Sequence, residues 1–133
     1  MFQIHLHLVW STKYRKPVMR GEVGLRVREL LRQSCREFDV DIMKGHVAKD
    51  HVHLFVSIPP QVTISKLMRD LKGRSSRKLL HEFPHLNKTF WGRHFWARGY
   101  FCVTSGNVTD EIVADYIANQ AHEDDEDFKV EAD

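Results

Sequence analysis

Residues 46–60, "HVAKDHVHLFVSIPP", decide the fold. Val52, Leu54 and Val56 alternate with His51 and His53, a period of two that reads as a strand with one face in a core and two imidazoles on the other. Pro59 and Pro60 end it, since proline cannot donate to a ladder. Upstream, residues 40–48 read as a partner strand, joined to it by a tight turn at Lys49 and Asp50.

Outward from this hairpin the periodicities change. Phe2, Ile4, Leu6, Leu8 and Trp10 share one face of a first strand, with Gln3, His5, His7 and Val9 on the other. A basic loop, "STKYRKPVMRG", leads to residues 22–38, where Val23, Val27, Leu30, Leu31 and Cys35 recur at helical spacing. After the hairpin, a helix begins near Thr63 or Ser65 and runs through "ISKLMRDLKGRSSRKLLHEF", with a bend expected at Gly73. "HFWARGYFCVTS" reads as a further strand. A last helix, about 109–126, is capped by Thr109, with Asp110 and Glu111 in its first turn. The order β-α-β-β-α-β-α predicts an α+β, ferredoxin-like antiparallel sheet with helices on one face. Residues 1–122 form one domain in this reading, and 123–133 an acidic tail.

Composition bounds the chemistry. A chain of 133 residues with 42% hydrophobic content suits a single compact domain. It carries no apolar run approaching the roughly 20 residues that cross a bilayer, and no signal-peptide pattern, so a soluble intracellular protein is expected. Cys35 and Cys102 stand far apart without CxxC spacing, which points to neither a disulfide framework nor a thiolate zinc site. Charge is segregated. Residues 1–105 hold 19 Lys and Arg against 8 Asp and Glu, whereas residues 106–133 hold 1 against 10. A basic body suits a polyanionic partner such as nucleic acid.

Two small constellations carry possible chemistry. On a strand, positions i and i+2 point the same way, with Cα atoms roughly 6.5–7 Å apart, so His51 and His53 can converge on one ion. Two ligands do not close a metal site, and a third must come from elsewhere. Read alone, the pair is also the polar face of a half-exposed strand, and His5 and His7 repeat the spacing. In "DEIVADYIANQ", Tyr116 and Gln120 lie one helical turn apart on one face. A phenol can attack a phosphodiester if its ordinary pKa near 10 is offset by electrostatic help. Read alone, Tyr116 equally continues the apolar stripe of Ile112, Val113 and Ile117.

Together these pieces resemble the single-tyrosine HUH transposases of the insertion sequence 200/605 family. The resemblance spans nearly the whole chain, through "HLVWSTKYRKPV", "HVAKDHVHLFVSIPP", "LMRDLKGRSSRKL", "FWARGYF" and "YIANQ" in that order. It implies a transposase acting on single-stranded DNA with Tyr116 as nucleophile and His51, His53 and Gln120 holding Mg2+ or Mn2+. The implied products are a 5′-phosphotyrosine and a free 3′-hydroxyl. It further implies a homodimer in the prokaryotic cytoplasm whose active sites are shared between subunits, with Gly106 in "TSGN" either a hinge ahead of the tyrosine helix or a simple turn. Hairpins at the element ends would be gripped by Lys13, Tyr14, Arg15, Lys16, Lys72, Arg74, Ser75, Ser76, Arg77 and Lys78. Trp91, Phe95, Trp96 and Tyr100 can stack on bases, although core packing suits most of them. The competing readings are a nucleic-acid-binding module without chemistry, and a metal-dependent phosphoesterase that needs the histidines but not Tyr116.

Overall fold

The computed structural model describes residues 3–104 and 115–116. Gly106, Gln120, almost all of the expected last helix and the acidic tail lie outside the described residues. Four strands, β1 (Ile4–Ser11), β2 (Asp41–Val47), β3 (His51–Ile58) and β4 (Phe101–Thr104), form one antiparallel sheet in the order β2-β3-β1-β4. Helix α1 (Gly21–Glu37) links β1 to β2 and α2 (Ile64–Glu82) follows β3. The α+β, ferredoxin-like plan is therefore present.

The core lies between the helices and one sheet face. Leu6, Leu8 and Trp10 of β1 and Val52, Leu54, Val56 and Ile58 of β3 pack with Val27, Leu30 and Leu31 of α1 and Leu67, Met68, Leu71 and Leu79 of α2. The residues between them, His5 and His7 on β1 and His51, His53 and Phe55 on β3, are thereby turned to the opposite face. Helix α1 stops in a Schellman motif. Asp39 takes the left-handed conformation (φ 58°), and the Asp39 and Val40 N–H groups donate to the Arg36 and Cys35 carbonyls. This turns the chain sharply into β2.

Two expectations need correction, and one element is new. Helix α2 runs unbroken through Gly73, because one interior glycine costs only about 1 kcal/mol and the buried stripe on either side outweighs it. The run "HFWARGYFCVTS" is strand only at Phe101–Thr104. Its first half is an irregular segment: Phe95 and Trp96 turn inward, Trp96 meets Trp10 edge-on at 5.7 Å, and the Trp96 Nε1–H donates to Ser75 Oγ at 2.8 Å. A short helix, α3 (Pro84–Thr89), precedes that segment with proline in its first turn, where a missing N–H costs nothing.

Candidate active site

The register of the sheet builds the site. His46 of β2 pairs with His53 of β3, His53 with Val9 of β1, and Val9 with Phe101 of β4. These four residues form one transverse row, each strand about 4.8 Å from the next. The Tyr116 ring lies against Phe101, with centroids 5.2 Å apart. Tyr116 and His53 thus belong to one sheet face, two strands apart.

Each histidine has its own support. Asp50 Oδ1 is 2.9 Å from His51 Nδ1, so the ring donates Nδ1–H to the carboxylate and presents Nε2 outward. Arg15 holds that carboxylate in turn, its Nε and Nη2 donating to Asp50 Oδ2 at 2.9 and 2.5 Å. Burial pushes the Asp50 carboxyl up, but the hydrogen bonds from His51 and Arg15 and the Arg15 charge outweigh it and hold the group below its ordinary value. Asp50 is therefore a carboxylate at neutral pH. At the second histidine, His7 Nδ1 and His53 Nε2 are 2.9 Å apart, one ring donating to the other, and His7 stacks on Phe55 at 4.5 Å. Burial lowers the pKa of His7, which favours a neutral ring in this pair.

The loop between β1 and α1 is folded onto this support. Thr12 N–H donates to the Asp50 carbonyl at 3.0 Å and Met19 N–H to the Lys49 carbonyl at 2.9 Å. Tyr14 and Arg15 both adopt left-handed backbone, φ 57° and 52°, which turns Arg15 inward to 8% exposure and Tyr14 outward.

The residues expected to grip DNA divide. Lys13, Lys72, Ser76 and Arg77 line one cleft of about 500 Å³ together with Arg93 and Arg98, with no carboxylate among its lining residues. Lys72 Nζ donates to the Ala97 and Gly99 carbonyls at 2.8 Å each, and burial lowers its pKa to about 8. Lys13, Tyr14 and Lys16 line an adjacent cleft, and Lys78 is exposed on α2. Arg15 is ion-paired and buried behind His51. Ser75 is also buried, its hydroxyl donating to the Leu71 carbonyl at 2.5 Å. Arg74 joins α2 to α1 through Glu37, at 2.6 and 2.8 Å.

No cluster of three His, Cys, Asp or Glu side chains suited to a metal occurs among the described residues. The imidazole pair nevertheless fits the beginning of such a site. His51 and His53 stand two residues apart on one face of β3, and a carboxylate backs one of them in the manner common to metal-bound histidines. Sequence reading took Asp50 only as a turn residue and His7 as a coincidence of spacing. The signal for Asp50 was its position directly before the first histidine, and for His7 the fact that strands one and three place their histidines on the same face.

The comparisons with known proteins agree with this geometry. Residues 1–120 match the family model "Transposase IS200 like". The chain is 38% identical over 118 residues to the transposase for insertion sequence element IS200 of Salmonella typhimurium, covering 89% of this chain and 77% of the relative. It is 32% identical over 120 residues to the ISDra2 transposase TnpA of Deinococcus radiodurans, covering 90% and 86%. Among solved structures, a candidate transposase from Deinococcus radiodurans superimposes with a TM-score of 0.83 at 32% identity, covering 90% of this chain and 92% of that one. A REP-associated tyrosine transposase bound to a REP hairpin shares the fold with a TM-score of 0.59 at 14% identity, over 90% and 67%. The chain belongs to the IS200-like transposase family.

Proposed function

We propose that this transposase cleaves and rejoins single-stranded DNA at hairpin-bearing ends of an insertion sequence, with Tyr116 as its nucleophile. The observation that supports the reading best is the transverse row His46–His53–Val9–Phe101 with the Tyr116 ring on Phe101, which puts the phenol and the imidazoles on one face.

The phenol oxygen attacks the scissile phosphorus. A bond forms between Tyr116 and the 5′-phosphate as the bond to the 3′ oxygen breaks, and that oxygen leaves protonated as a 3′-hydroxyl. In the second half of the cycle a 3′-hydroxyl from another strand end attacks the same phosphorus, and the phenol departs with its proton regained. The phosphodiester count is conserved, so neither hydrolysis nor a nucleotide cofactor enters.

His51 and His53, with Gln120 as third ligand, would hold a divalent cation. Imidazole ordinarily prefers later transition metals, and the amide oxygen of Gln120 with phosphate and water shifts the set toward Mg2+ or Mn2+. When bound, such an ion supplies Lewis-acid polarisation of the scissile phosphate. Asp50 and Arg15 fix the His51 ring, and His7 restrains His53. Lys13, Lys16, Lys72, Ser76, Arg77 and Lys78 contact phosphates, while Arg15, Arg74 and Ser75 act within the protein. Tyr14 adds an aromatic surface. The working unit is a homodimer in the prokaryotic cytoplasm with sites shared between subunits, Gly106 acting as the hinge that would let the tyrosine helix leave its own Phe101 for the histidines of the partner subunit.

The test is cleavage of single-stranded oligonucleotides that carry the flanking hairpins. Tyr116→Phe loses cleavage and keeps hairpin binding within a few-fold. Cleavage that survives in Tyr116→Phe means hydrolysis by the metal site, and loss of folding means that Tyr116 is a core residue.

A further inference from the structure

Tyr14 and Trp91 are bulky aromatic residues in left-handed backbone, with φ 57° and 59°, a conformation uncommon for any residue but glycine and a small set of polar ones. Both are also exposed, Tyr14 at 50% and Trp91 at 85%. Trp91 stands at the position after the end of α3 where glycine is the usual occupant. Its N–H donates to the Lys88 carbonyl at 3.2 Å, and the next N–H, of Gly92, to the Asn87 carbonyl at 2.7 Å. A helix stop of this geometry needs no indole, and an indole left in water gains nothing from burial.

The two aromatics line one cleft of about 400 Å³ together with Lys13, Lys16, Phe90 and Arg93. Lys13 and Arg93 also line the neighbouring cationic cleft of about 500 Å³, so the two clefts adjoin and share these cations. Lys13 Nζ lies 5.4 Å from the Tyr14 ring centroid, a cation held beside a π face. A channel of lysines and arginines that opens onto exposed ring faces matches one chemistry: a phosphate backbone in the first part and an unpaired nucleobase against the rings in the second.

We propose that Tyr14 and Trp91 form a stacking site for an unpaired base of DNA whose adjacent phosphates occupy the Lys72–Arg77–Arg93 cleft. This rests on the single-strand reading given above and adds to it a binding site made of residues other than those of the Tyr116 chemistry. Left-handed strain at both aromatics is the cost of holding their ring faces at the cleft mouth.

The experiment compares two probes of equal charge in EDTA: a strand of 12 thymidylates, and a strand of the same length made of abasic deoxyribose-phosphate units. The cationic cleft sees the same phosphates in both, so their affinity ratio isolates stacking. The parent protein is expected to favour the thymidylate strand by about 10-fold or more, the scale of one base–aromatic stack. Trp91→Gly should bring that ratio several-fold closer to one while raising the melting temperature, because glycine suits the helix stop better than tryptophan. Tyr14→Asn should do the same without loss of folding. Arg77→Gln should weaken both probes equally and leave the ratio intact.

Addition of the thymidylate strand should also quench the exposed Trp91 emission, while Trp10 and Trp96 stay buried. A ratio unchanged in both Trp91→Gly and Tyr14→Asn overturns the stacking site even if Tyr116 forms its adduct. A lowered ratio in a protein that forms no adduct sustains the site and removes the cleavage reading. Failure of the parent to bind either strand overturns the stacking site, while the cleavage reading stands or falls on the hairpin oligonucleotides.

Discussion

At the scale of the residue, His51 depends on a carboxylate that is itself held by a buried guanidinium. The Arg15–Asp50–His51 chain has contacts of 2.5–2.9 Å, so changing its middle member is felt at both ends. Asp50→Ala should lower manganese affinity about 10- to 100-fold, the usual effect of losing a carboxylate behind a metal-bound histidine. It should also cost about 3–5 kcal/mol of stability by leaving the Arg15 charge buried without its carboxylate. Asp50→Asn, whose amide oxygen can still accept from His51, should retain more metal affinity. Manganese titration followed by electron paramagnetic resonance, beside chemical denaturation, separates the two effects.

Lys72 gives the pH dependence. Burial lowers its pKa from 10.5 to about 8, so below pH 8 both folded and unfolded chains hold the proton. Between about 8 and 10.5 the unfolded chain binds more protons, and this group's contribution to stability rises with pH. Its contribution to phosphate binding runs the other way. Affinity for the thymidylate strand should fall from pH 7 to pH 9, and Lys72→Arg should flatten that fall, as read by fluorescence anisotropy at constant salt. The placement of His51 and His53 on one face of a strand was legible from the alternation. Asp50, His7 and the inward turn of Arg15 were not, because a turn aspartate, a repeated HxH and a loop arginine look alike whether or not the fold brings them together.

At the scale of the element, the outcome followed burial more closely than local propensity. Leu67, Met68, Leu71, Ser75 and Leu79 keep helical spacing across Gly73 and are all buried, so the stripe carries α2 past a residue that reads locally as a breaker. A Cβ at Gly73 would meet only the Arg77 Nη1 at 3.5 Å, an ordinary contact. Gly73→Ala should therefore stabilise the protein by about 0.5–1 kcal/mol, seen as a rise of a few degrees in melting temperature. A neutral or destabilising result would mean that the cleft it borders needs the smaller residue. The aromatic run before β4 misled in the opposite direction. Its composition suits a strand, but Phe95 and Trp96 find their burial between the end of β1 and α2 instead of in a ladder, and no local pattern distinguishes those outcomes.

At the scale of the whole molecule, the sheet order β2-β3-β1-β4 is what makes the site. It puts the histidine-bearing strands β2, β3 and β1 side by side and lays Phe101 beside them as the seat for Tyr116. Alternation in the sequence assigned the faces of β1 and β3 correctly. Adjacency of those strands followed only from the expected ferredoxin-like plan, since periodicity carries no information about which strands pair. The basic body also gained a shape: its cations gather at the end of α2 and the segment before β4, close to the loop that supports His51. The cationic cleft and the Asp50–His51 support thus share one stretch of chain around Lys13–Arg15.

The most direct measurement is covalent trapping. The protein is mixed with manganese or magnesium and single-stranded oligonucleotides spanning the flanks of its element, and the SDS-resistant product is mapped by mass spectrometry. One protein–DNA adduct is expected on Tyr116, lost with EDTA and absent from Tyr116→Phe. Cleaved strands without an adduct, or an adduct on another residue, would contradict Tyr116 as the nucleophile.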